Sequence, residues 1–160
     1  MIEQTGDLFD SAAAYLGHGV NCSGVMGAGI AKTFREKFPN NYQNYKAACE
    51  SGRLQPGGFM VVPEKPEGSK RITLVTNLAS QNKPGMDASY QWLFSSLWSW
   101  AEQASRPNRL RLFGGIIAVP EIGCGIGGLE WPKVKRIMKV VEDCYTDIEF
   151  EVWHYDPEGN

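Results

Sequence analysis

The chain has 160 residues, 42% of them hydrophobic, with a formal net charge of −2. That length supports one domain with a sizeable core, and near-neutral charge with scattered lysines and arginines argues against a dedicated nucleic-acid-binding face. No run approaches the roughly 18 apolar residues of a membrane span, and Met1-Ile2-Glu3-Gln4 lacks the basic and apolar regions of a secretion signal, so a soluble cytoplasmic protein without membrane contact is expected.

In chain order, residues 16–21 read as a short buried strand running into a glycine-rich stretch. Residues 28–38 follow with Ile30, Phe34 and Phe38 at helical spacing, and residues 40–51 form a second helix before Gly52. Residues 59–62 and 72–76 read as strands of a hairpin or edge pair, joined by a turn-rich segment. From Asp87 onward, Tyr90, Leu93, Phe94, Leu97, Trp98 and Ala101 make an apolar helical stripe. Residues 115–119 form an apolar strand feeding a second glycine-rich stretch; a helix starts at Pro132, and residues 148–155 form a last strand. This alternation predicts a three-layer α/β/α domain over residues 1–155 around a mixed, mostly parallel sheet, with a polar tail over 156–160 and ligands at the carboxyl ends of the strands.

Both glycine-rich stretches fall at such ends. Gly24-Val25-Met26-Gly27-Ala28-Gly29-Ile30 and Ile122-Gly123-Cys124-Gly125-Ile126-Gly127-Gly128 each separate a strand from a helix. Glycine lets successive backbone N–H groups turn toward one anion, and a following helix adds its positive end, so the pair points to a diphosphate held between two loops. The second stretch fits the dinucleotide fingerprint G-x-G-x-x-G but comes too late for a complete dehydrogenase fold; the first lacks the Lys-Ser/Thr of a P-loop. Cys22, Cys49, Cys124 and Cys144 form no C-x-x-C pair, and with only His18 and His154 there is no zinc spacing, so reduced thiols and no metal are expected.

The order of Gly6-Asp7-Leu8-Phe9, His18-Gly19-Val20-Asn21, Met26-Gly27-Ala28-Gly29-Ile30-Ala31, Phe38-Pro39 and Pro120-Glu121-Ile122-Gly123-Cys124-Gly125 with Gly128-Leu129 and Trp131 resembles the macrodomains. The nearest branch is the one with terminal ADP-ribose protein glycohydrolases, phage and toxin–antitoxin macrodomains, and yeast-type ADP-ribose 1''-phosphate phosphatases. The resemblance runs over about residues 2–155. It implies a ligand that is ADP-ribose or a derivative, no cofactor, and a monomer. It also implies that Asp7 receives the adenine amino group, with Leu8 beside it and Trp153 against the ring. Asn21 would sit at the distal ribose. Gly24, Met26, Gly27, Ala28, Gly29 and Ile30 would wrap that ribose and part of the diphosphate, with Ile122, Gly123, Cys124, Gly125, Ile126 and Gly127 on the other side. Each has a plainer reading: Asp7 as a turn cap, Asn21 as a local brace, Trp153 as core.

By the same resemblance, glycohydrolases of this branch carry a lysine and an acid at the positions held here by Asn77 and Gly127, and neither can attack a sugar carbon or move a proton. His18 occupies the position of a functional histidine in the phosphatases, and Asp87 the region of their acid. A histidine and a carboxylate could activate water against a terminal phosphate, although His18 could be a hydrogen-bonded strand-end residue and Asp87 a helix N-cap. Three functions are therefore expected to compete: hydrolysis of ADP-ribose 1''-phosphate first, then removal of ADP-ribose from protein or nucleic acid, then binding alone.

Overall fold

A computed structural model describes residues 1–158; the last two residues of the expected 156–160 tail lie outside them. Six strands form one sheet in the order β1-β6-β5-β2-β4-β3, with β1 Ile2–Thr5, β2 Tyr15–Gly19, β3 Phe59–Glu64, β4 Thr73–Leu78, β5 Ile116–Val119 and β6 Glu149–His154. All neighbours pair parallel except β3, which runs antiparallel to β4 with Phe59 opposite Leu78 and Glu64 opposite Thr73. The expected hairpin or edge pair is this β3–β4 unit.

Helices cover both faces. On one side lie α1 Gly29–Lys37 and α2 Pro39–Glu50; on the other lie α3 Tyr90–Ala104, α4 Pro107–Phe113 and α5 Trp131–Cys144. Central β4 is buried on both faces from Leu74 to Leu78, as a strand between two helical layers must be. Leu93, Leu97, Trp100, Ala101 and Ala104 recur at helical spacing and pack α3 with Val134, Met138 and Val141 of α5. On the opposite face Phe34 of α1 and Phe38 pack with Leu8, Leu16 and Val75. Pro39 is the first residue of α2 as well as the stop for α1, because its fixed φ suits a helix start.

The layers and the switch between faces position the site. From β2 the chain passes through α1, α2 and β3 to reach β4 on one side, whereas β5 leads through α5 to β6 on the other. The chain thus leaves the carboxyl ends of the adjacent parallel strands β2 and β5 in opposite directions, which opens a crevice between them.

Candidate functional site

Both glycine stretches occupy that crevice, one after β2 and one after β5. The first is held by side chains. Asn21 Oδ1 accepts from the Ser23 amide at 3.0 Å and the Tyr45 hydroxyl at 2.7 Å, while its Nδ2 donates to the Val25 carbonyl at 2.9 Å. Met26 is 1% exposed, in a cluster with Val20, Tyr45, Ala48 and Leu54. These anchors leave Gly27, Ala28 and Gly29 exposed at the start of α1. Ala28, the N-cap, has no side-chain oxygen to satisfy the helix, and no acidic residue lies in the first turn. The amides at this end are therefore available to an anion, reinforced by the helix dipole.

The second stretch is held by backbone. Leu129 N donates to Gly123 O at 2.8 Å and Cys124 N to Glu121 O at 3.1 Å. Gly123 adopts φ +74°, open to glycine at little cost, and a Cβ there would lie 2.8 Å from Leu129 Cδ1. At Gly127 a Cβ would meet Gly123 O at 2.8 Å, Ala88 Cβ at 2.9 Å and Gln81 Oε1 at 3.2 Å. Among the described residues the amides of Gly125, Ile126 and Gly127 have no acceptor. Two banks of unpaired N–H groups thus border the crevice, and buried or half-buried amides left so need a partner from solvent or a ligand.

Residues 79–89, after β4, strap the two loops together. The Asn82 carbonyl accepts from Cys22 N at 3.1 Å and Ser23 Oγ at 2.9 Å, while Ala88 N donates to Gly127 O at 3.3 Å. Asp87 sits within this strap, its Oδ2 accepting from Asn82 N at 2.9 Å and Lys83 N at 2.8 Å. Those two amides hold its carboxyl below the usual range, so Asp87 is a solvated anion folding the strap. It is not the N-cap of α3; Ser89 Oγ fills that place, accepting from Trp92 N.

Toward β1 and β6, Gly6, the chain neighbour of Asp7, lies against Trp153. A Cβ at Gly6 would lie 3.5 Å from the Trp153 ring, and Asp7 Oδ1 caps the short 3-10 turn through Phe9 N at 2.9 Å. The plainer reading of Asp7 as a cap therefore holds for one oxygen, and the other makes no hydrogen bond among the described residues. Trp153 is half-buried, its Nε1 donating to Glu151 at 2.6 Å, so it combines a core edge with an accessible surface. Leu8 and Ile122 have buried side chains and can offer a ligand only backbone, as can Met26 and Gly24.

His18 requires a correction. Its side chain is fully buried, stacked 3.8 Å from the Phe34 ring at 2°, and Nε2 lies 3.1 Å from Asn77 Oδ1. Asn77 and Asn41 pair reciprocally at 2.8 and 3.2 Å beneath α2. The Asn77 oxygen only accepts, so the neutral ring carries its proton on Nε2, and Nδ1 has no partner among the described residues. Burial drives the His18 pKa down to about 4, partly offset by the Asn77 bond. A group that activates water at a ligand must be reachable from the cleft, and this ring is sealed between α1 and the sheet. Asn77 is sealed with it, so it does not face the cleft position that the resemblance assigned to it. The side chain that the structure sets beside Gly127 is Gln81, whose Nε2 donates to Lys83 O at 2.6 Å.

Neither Cys22 nor Cys124 is a poised nucleophile, because burial pushes both thiols up to about 11. Among the described residues no group of three His, Cys, Asp or Glu side chains could hold a metal, and no helix is long and apolar enough to cross a membrane. Sequence reasoning missed Tyr45, Gln81, Asn82 and Ala88. Their signal is weak, since Tyr45 reads as one apolar helix position and the other three act largely through backbone or local loop contacts.

Comparison with known proteins agrees with this geometry. A DNA ADP-ribosyl glycohydrolase of Thermus aquaticus is 32% identical over 97% of this chain, which spans 41% of that protein. An ADP-ribose 1''-phosphate phosphatase of Scheffersomyces stipitis is 25% identical, with 89% of each covered. The solved structure of Thermosipho africanus DarTG in complex with ADP-ribose is similar with a TM-score of 0.75 and 25% identity, covering 99% of this chain and 42% of that one. The chain thus spans about two fifths of the length of the first curated relatives it matches. The sequence model of the Macro domain matches residues 18–138, a span that holds both amide-lined loops and the strap between them, and on that match the chain belongs to the macro domain family.

Proposed function

We propose that this chain binds ADP-ribose in the crevice and hydrolyses an ADP-ribose derivative at its terminal ribose. The carrying observation is the pair of amide banks that follow adjacent strands, at the start of α1 and at Gly125–Gly127, with Asp7 and Trp153 at the ends of β1 and β6. Such a crevice fits a diphosphate flanked by an adenine and a second ribose. Asp7 would accept from the adenine amine through its uncommitted oxygen, and Trp153 would lie against the ring. Asn21 would hold the first loop at the distal ribose.

ADP-ribose 1''-phosphate is the first substrate. Its terminal phosphate adds two or so charges that loop amides can stabilise, and the similarity to the Scheffersomyces phosphatase supports it. With His18 inside the core, water activation falls to the ionised Asp87, whose second oxygen makes no hydrogen bond among the described residues. A second reading has its own support: Val25, Met86 and Ile126, from three different loops at the crevice, are 45%, 85% and 59% exposed. An apolar rim of this kind suits a nucleobase beyond the distal ribose, as on ADP-ribosylated DNA.

The test sets the purified chain against both substrates. Phosphate release from ADP-ribose 1''-phosphate, retained in His18→Gln and lost in Asp87→Asn, supports the first reading. Release of ADP-ribose from modified DNA without phosphatase activity replaces it with the second, and micromolar ADP-ribose binding without turnover removes the hydrolase claim.

A further inference from the structure

A second cavity lies at the opposite end of the sheet from the crevice. It has a volume of about 260 Å³, opens to solvent, and is lined by Tyr15, Phe59, Val61, Trp100, Arg109 and Phe113 among others. Tyr15 opens β2 and Gly19 closes it; at about 3.3 Å per residue the two ends stand roughly 13 Å apart, so the cavity is separate from the glycine loops. A 420 Å³ hollow beside Phe9 and Arg71 lies on the other face, where Arg71 already donates to the Ser11 and Ala12 carbonyls.

The walls of the smaller cavity are aromatic and its polar groups lack partners. Tyr15 stands edge-on to Trp100 at 5.2 Å and 82°, and to Phe113 at 6.2 Å and 77°. Trp100 is 1% exposed, and its indole Nε1 is buried without a hydrogen bond among the described residues. The Tyr15 hydroxyl makes no hydrogen bond among the described residues. Arg109 projects from α4 with no carboxylate within ion-pair distance among those residues, and lies near enough to Tyr15 to oppose the rise that burial gives its hydroxyl. Arg106, the N-cap of α4, likewise has no ion pair among the described residues.

We propose that this cavity is a binding site for a flat aromatic carboxylate. One or two fused rings would lie against the aromatic wall of Tyr15, Trp100, Phe59 and Phe113, and the Arg109 guanidinium would take the carboxylate in a charge-assisted, forked hydrogen bond. The volume suits a fragment-sized molecule and is too small for a dinucleotide.

The test uses 2-naphthoate and its neutral counterpart 2-naphthamide, followed by ¹H–¹⁵N spectra of the tryptophan indoles, with Trp100→Phe assigning the Trp100 signal. Saturable movement of that signal by 2-naphthoate is expected, at least tenfold weaker with 2-naphthamide and at least tenfold weaker in Arg109→Gln. Saturating ADP-ribose should leave the titration unchanged. Arg109 is exposed, so its replacement should keep the fold, which unaltered ADP-ribose binding by the variant would verify. Absence of saturation, equal affinity for the two probes, equal affinity in Arg109→Gln, or displacement by ADP-ribose would each overturn the proposal.

Discussion

The two glycine loops present amides to the same crevice and are built in opposite ways. The first rests on side chains: Asn21 gripped by Tyr45, Met26 in the core, and beneath α1 the stack of Phe34 on His18 with its Asn77–Asn41 pair. The second rests on backbone and on the lack of side chains at Gly123, Gly127 and Gly128, where any Cβ meets a neighbour at 2.9 Å or less. The difference teaches that a shared function need not share its vulnerabilities. The first loop should fail through loss of buried polar contacts and through acid, the second through added atoms.

Acid gives the largest expected effect. The His18 pKa is depressed in the fold from 6.5 to about 4, so its stabilising contribution is complete above pH 6.5 and is lost as pH falls toward 4, where the unfolded chain binds the proton first. The loss amounts to about 3 kcal/mol. Urea unfolding across that window should show it in the wild type and not in His18→Phe. His154 works in the opposite sense, since Glu121 and Glu3 outweigh desolvation and raise its pKa; its contribution disappears as pH rises, and the variant comparison separates the two.

At Gly127 one added methyl should be enough to damage the second loop. Gly127→Ala forces apart Gly123 O and Ala88, an overpacking of about 1–3 kcal/mol, and ADP-ribose affinity measured by calorimetry should drop tenfold or more. Wild-type affinity would mean that the loop is not rigidly held. Tyr45→Phe tests the other construction by deleting the hydroxyl that donates to Asn21; a stability loss of about 1 kcal/mol is expected, together with weaker ligand binding. Smallest is Gly27→Ala, whose Cβ would meet only Val25 Cγ1 at 3.6 Å. Its stability should stay within about 0.5 kcal/mol of the wild type, in contrast to Gly127→Ala, and an equal loss at both positions would erase the distinction between the loops.

The three-layer architecture was legible because Phe34, Leu93, Leu97, Val134 and Met138 repeat at helical spacing between short apolar strands. Strand β1 was not, because every residue from Ile2 to Thr5 is exposed and only pairing with β6 makes it a strand. Helix α4 likewise buries no residue and shows no stripe. Of the site, the loops were readable from glycine itself, a residue whose presence marks backbone geometry. The fate of His18 was not, because a strand-end histidine can face a cleft or a helix layer, and the packing of Phe34 decides which. The strap was missed because Asn82 and Ala88 act through main-chain atoms, which any residue carries.

The central claim, that both amide banks hold one diphosphate, is tested most directly by titrating ¹⁵N-labelled protein with ADP-ribose. The amides of Gly27–Ala31 and of Gly125–Gly127 should shift together along one binding isotherm, while the Trp100 indole signal stays in place. Shifts confined to one loop, or centred on the Trp100 end of the sheet, would contradict the account.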